Sequence, residues 1–138
     1  MKAFGNILTW FLAVLLAIVF TFAGGVKLIG APAMVHEFAQ IGIGQWFRYL
    51  TGILEVSGAI GLLVPKYRFW AALQIATVMA GATAVNILIL HQPALARLTA
   101  ILMTLSLALA WLRRARRRLQ STSNAPNFAA PQKDSAAS

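Results

Sequence analysis

The run Arg48 to Pro65, RYLTGILEVSGAIGLLVP, decides the fold: an apolar stretch of helix length that carries a single carboxylate, Glu55. Only three acidic residues occur in 138, and this one falls inside a candidate membrane span. On a helix of 3.6 residues per turn, the positions three and four away from Glu55 are Thr51, Gly52, Gly58 and Ala59. All four are small, so a second backbone can approach the carboxylate on that face. An ionised side chain in hydrocarbon costs roughly 2.5 to 3.5 kcal/mol on insertion scales, so a cation is expected against it.

The rest of the composition agrees with a membrane setting. Hydrophobic residues make up 59% of the chain and charged ones 11%, against about 25% charged in soluble domains, and the mean hydropathy is +0.74. Four spans of about 20 residues with short connections would use almost all of this length, leaving no room for a soluble catalytic domain. Cysteine is absent, which excludes disulfides, thiol exchange and thiolate-held clusters from this chain. Five arginines between Arg113 and Arg118 follow an apolar segment, the position of a topology anchor at anionic headgroups and not of a nucleic-acid surface.

Outward from the central run, the pattern predicts an all-α integral membrane protein: a four-helix antiparallel bundle with a short surface or re-entrant helix between spans one and two. The spans are expected at about 7–29, 47–64, 69–90 and 94–112, with residues 113–138 a basic juxtamembrane run and a disordered cytoplasmic tail from Leu119. A secretory signal peptide cut after Ala23 is the rival reading of the first segment, but three more long apolar segments follow and its apolar core exceeds the usual length. Thr21 and Gly25, with Gly24 alongside, form a small-xxx-small pair near its end. Residues 30–45, GAPAMVHEFAQIGIGQ, are too short and polar to span, and Pro32 suits the first turn of a short interfacial helix. Trp46, Phe47 and Tyr49 form an interfacial aromatic cluster, and the tight basic connection Lys66, Tyr67, Arg68 makes spans two and three antiparallel neighbours. In span three, Ala72, Ala76, Ala80 and Ala84 form a ridge suited to close helix packing. A homodimer through such a ridge is a further expectation.

With the N-terminus inside, Lys2, Lys66, Arg68, Arg113, Arg114, Arg116, Arg117, Arg118 and Lys133 are cytoplasmic, against Lys27, Arg48 and Arg97 outside. Nine against three predicts an inner-membrane protein with both termini cytoplasmic. Lys27, Glu55 and Asn86 then fall at similar depth in the outer half, where Lys27 is the expected partner of Glu55 and Arg48 the alternative. Such a pair either fastens two helices or handles a ligand or proton. His36 and His91 both fall on the outer side, where a two-histidine haem or metal site is one reading and interfacial anchoring the other; no ligand spacing supports a metal. No P-loop, dinucleotide fingerprint, metalloprotease helix or nucleophile elbow occurs.

The segment FAGGVKLIG at Phe22 to Gly30, the polar surface helix, LTGILEVSGAIGLLVPKYR at Leu50 to Arg68, and a third span ending at His91 together resemble the DoxX / DoxX-like family of small bacterial membrane proteins, from about Leu8 to Leu112. The polar loop that usually follows His91 is replaced here by Gln92, Pro93 and Ala94. The resemblance implies a four-helix bundle of the cytoplasmic membrane, with relatives that include subunits of a thiosulfate:quinone oxidoreductase and accessory proteins of periplasmic redox maturation. It points to Lys27, Glu55 and His91. Three functions are therefore expected in turn: an auxiliary subunit, not an enzyme on its own, whose outer pocket meets a quinone head group or a redox partner protein; a proton-coupled carrier using Glu55; and a structural protein of the lipid bilayer without ligand. Nucleic acid is not an expected partner.

Overall fold

The computed structural model describes residues 2–124. These form five helices, and no strand occurs among the described residues: α1 (Lys2–Leu28), α2 (Pro32–Ile41), α3 (Gln45–Leu63), α4 (Arg68–Leu88) and α5 (Pro93–Ser123). The protein is an all-α membrane bundle. Three helices are long and apolar enough to cross a bilayer: Ala3–Leu28, Arg68–Leu88 and Pro93–Ser123, with mean hydropathies of 2.4, 1.6 and 1.8. At 19 residues α3 has nearly the same length, but Gln45, Arg48, Thr51, Glu55 and Ser57 interrupt its apolarity.

Neighbouring long helices run antiparallel. The end of α1 lies on the first half of α3, where Gly24 and Leu28 meet Gly52. The second half of α3 lies on the start of α4, where Gly58 meets Ile75 and Gly61 meets Ala71. α4 and α5 pack along most of their length and share a hydroxyl pair, Thr83 Oγ1 to Thr99 Oγ1 at 2.8 Å. α1 and α5 touch sparsely. The core gathers Ala13, Leu16, Ala17 and Phe20 of α1, Ala59 and Leu62 of α3, Ala71, Ala72, Ile75 and Met79 of α4, and Leu109 and Ala110 of α5. So many small residues bring the helix axes close, which is how association is gained where lipid supplies no hydrophobic driving force.

Two sequence expectations change here. Ala72 and Ala76 are buried but Ala80 and Ala84 are exposed, so the alanine ridge is used for packing within the chain only over its first half. The tail expected to be disordered from Leu119 continues as α5 to Ser123; arginine, leucine and glutamine are good helix formers, and no proline or glycine intervenes before Pro126. The remainder of that tail lies outside the described residues. At 31 residues α5 spans about 46 Å, well beyond the roughly 30 Å of a hydrocarbon core.

The short helix α2 begins with Pro32 at its first turn and ends on Gly42, whose φ of 78° supplies the left-handed C-cap. Phe38, its one buried residue, packs against Phe47 of α3 with ring centroids 6.0 Å apart and the rings tilted by 55°. α2 is thereby folded back over the bundle, where α1 has already ended and α3 still projects.

Candidate functional site

The site is built on a crossing of two glycines. A β-carbon on Gly24 would stand 2.8 Å from the Gly52 carbonyl oxygen and 2.7 Å from Val56 Cγ2, and one on Gly52 would stand 3.1 Å from the Gly24 carbonyl oxygen. Only glycine lets the backbones of α1 and α3 come this close. Three residues on from Gly24, one helical turn, Lys27 is carried to the same face. Of the two adjacent glycines it is Gly24 that makes the contact, while Gly25 faces open space. The small-xxx-small pair Thr21 and Gly25 named from the sequence is therefore offset by one residue.

Lys27 Nζ donates to both oxygens of Glu55, at 2.9 Å to Oε1 and 2.8 Å to Oε2. The Glu55 side chain is 2% exposed and that of Lys27 17%. Lys27 stands in the last turn of α1, where the negative end of the helix dipole favours a cation. Glu55 lies ten residues into α3, about 15 Å along the helix at 1.5 Å per residue. The carboxylate thus sits near the middle of its helix, and the pair is the only salt bridge among the described residues.

Arg48, the alternative partner, does something else. The residue is 4% exposed; Nη1 donates to the Lys27 carbonyl and Nε to Gln45 Oε1 at 2.8 Å. It also lies over the Tyr49 ring, 4.3 Å from the centroid. A helix that ends inside a bundle leaves its last carbonyls without intrahelical donors. Arg48 supplies one of those donors to α1, and the backbone N–H of Ala31 supplies another to Val26. The arginine is a cap reaching across from the next helix. Lys27 is consequently held from both sides, its ammonium by Glu55 and its backbone by Arg48.

Asn86 is buried at 5% exposure and its Oδ1 has no hydrogen-bond partner; its backbone carbonyl accepts from Gln92 N–H. No hydrogen bond ties it to the ion pair. His36 and His91 are exposed on separate segments, in α2 and in the turn after α4. His91 adopts a left-handed backbone, φ 51°, with Nδ1 3.1 Å from the Ile89 carbonyl oxygen, which marks it as a turn residue. Among the described residues no three His, Cys, Asp or Glu side chains gather to hold a metal. Of the six candidates read from the sequence, Lys27, Glu55 and Arg48 converge and the other three stand apart.

Two polar fixtures escaped the sequence reading. Gln74 Nε2 donates to the Leu54 carbonyl at 2.8 Å and to Ser57 Oγ at 3.0 Å, tying α4 to α3 one residue from Glu55. Arg68, read as part of a basic loop, is buried at 1% exposure, lies 4.2 Å over the Trp10 ring and donates Nε to the Leu62 carbonyl. A basic residue next to a span boundary reads by default as a solvated topology signal, so nothing in the chain marks it for burial.

A small-residue helical bundle with one acid and one base sealed together in its body defines the class: a compact multi-helix membrane protein organised around an internal ion pair. The DoxX-like family profile matches residues 11–110, which takes in Gly24, Lys27, Arg48, Glu55 and Asn86, and the chain belongs to that family. No curated protein and no solved structure matches it.

Proposed function

We propose that this chain is an auxiliary membrane subunit whose Lys27–Glu55 pair receives the polar head of a quinone-type molecule from the lipid phase. In this reading α3 is the fourth span, the arginine-rich end of the bundle faces the cytoplasm, as the nine-to-three distribution of basic residues argues, and the pair lies toward the outer half of an inner membrane. The observation that supports it is the ammonium itself. Lys27 spends two of its three N–H donors on the carboxylate and remains partly exposed beside it, so one donor is left for a carbonyl oxygen arriving from the side. A quinone carbonyl would accept from Nζ; as the partner reduces the quinone by two electrons, Nζ can give that oxygen one proton and be recharged from solvent through its exposed side, while the second proton of the quinol comes from solvent. Electrons would come from a partner protein, since the cysteine-free chain offers no thiol or thiolate-ligated cluster to supply them.

The test uses purified protein stripped of quinone and titrated with a short-chain ubiquinone, with binding followed by tryptophan fluorescence and by thermal stability. Saturable binding that weakens about tenfold or more in Lys27→Met, the loss of one charge-assisted hydrogen bond, and persists in His91→Ala is expected. Absence of saturable binding, or equal binding by Lys27→Met, overturns the assignment. Proton-driven uptake in vesicles, lost in Glu55→Gln without any quinone affinity, would instead establish the carrier reading.

A further inference from the structure

The end of the bundle opposite Lys27 poses a separate question, because positive charge collects there without a counter-charge. Arg68 opens α4, and its buried Nη2 has no hydrogen-bond partner at all. Arg113 of α5 is its electrostatic neighbour and donates to the Pro65 carbonyl in the α3–α4 turn. One turn further, Arg116 reaches α1, where its guanidinium lies against Gly5 and 3.4 Å from Asn6 Oδ1. The two acidic side chains among the described residues are elsewhere: Glu55 is paired with Lys27, and Glu37 belongs to α2. α4 also begins here without a side-chain cap, so its positive dipole end adds to the field. Guanidinium groups from two helices therefore gather at this end, with Arg117 of α5 also bearing on Arg113, and the acceptors of Arg68, Arg113 and Arg116 are neutral carbonyl and amide oxygens.

Trp10, Tyr67, Trp70 and Trp111 are exposed around this same end, and aromatic side chains of that kind settle at headgroup depth. That aromatic ring around the corner argues for the level of lipid phosphates. We propose that Arg68, Arg113 and Arg116 form a binding site for a phosphate group, supplied by an anionic phospholipid of the adjoining leaflet. A phosphate gives Arg113 and Arg116 charged acceptors in the fork geometry that guanidinium groups match, and it brings a counter-charge against Arg68. Arg114 and Arg118, exposed on the same helix, serve as a control for mere net charge.

The experiment takes the full chain in a neutral detergent and measures adducts by native mass spectrometry and thermal stability while phosphatidylglycerol, phosphatidylcholine or inorganic phosphate is added. One phosphatidylglycerol retained per chain with a rise in melting temperature, and phosphatidylcholine at least tenfold weaker, is expected. The double variant R113Q/R116Q should weaken phosphatidylglycerol by about fivefold per arginine removed, whereas R114Q/R118Q should leave it within twofold. R113K/R116K, which keeps the charge, provides a folded reference if the glutamine variant does not accumulate, and its loss of the bidentate fork should still weaken binding. Competition by inorganic phosphate would assign a free-anion site, and its absence a site that needs the lipid. Equal affinity for the two lipids, or equal loss in both double glutamine variants, overturns the proposal.

Discussion

The two ends of this bundle handle positive charge in opposite ways. Toward α2, Lys27 meets a carboxylate that takes both of its offered protons, and Arg48 closes a helix end beside it. At the other end, Arg68, Arg113 and Arg116 lean on carbonyls, an amide and an indole face, with no acid near them among the described residues. The difference follows from depth. Midway along its helix the buried Glu55 carboxylate has no solvent to share its charge, so a cation must come from the protein, whereas charges at a helix end ordinarily find phosphate and water within reach of a long side chain. One end holds a cation neutralised by a carboxylate, and the other holds only guanidinium groups on neutral acceptors.

The comparison can be broken at several points. The largest effect is expected from Gly24→Val, which drives a side chain into the Gly52 carbonyl and separates α1 from α3, so Lys27 can no longer reach Glu55. Folded protein should be lost or destabilised by about 3 kcal/mol or more, as read by size-exclusion profile and melting temperature, while Gly25→Ala, facing open space, should stay within about 0.5 kcal/mol. Arg68→Met in lipid-free detergent should cost only about 1 to 2 kcal/mol, mainly the unmet Leu62 carbonyl, because no partner charge is stranded. A loss as large as that for removing Lys27 would erase the contrast between the ends. The smallest change is His91→Gly, which relieves a left-handed backbone and should stabilise by about 0.5 kcal/mol without altering ligand binding.

How much of this could be read from the chain depended on rarity. Glu55 was legible because a lone acid in an apolar run demands a cation, and Lys27 was the cation nearest in depth. The helical membrane class was legible from apolar length alone. The crossing point was not, since Gly24 and Gly25 are adjacent and a hundred degrees of helix rotation decides which one meets α3. Arg48 and Arg68 were hidden for a different reason: charges at helix ends ordinarily snorkel to water, and only tertiary packing reveals a capped carbonyl or an indole beneath them. Likewise the four evenly spaced alanines of α4 mark a smooth surface, and spacing cannot tell which half of it another helix covers.

The claim on which the site rests is that Lys27 and Glu55 neutralise one another inside the bundle. It is tested most directly by a double-mutant cycle on stability, with Lys27→Met, Glu55→Gln and the pair combined, each measured by reversible unfolding in the same micelle. Removing Lys27 alone should cost about 3 to 5 kcal/mol, and the double variant should recover a large part of that, leaving a coupling of about 2 kcal/mol or more. Losses that simply add, with the double variant as unstable as the sum of the singles, would mean that the two side chains do not compensate each other's charge.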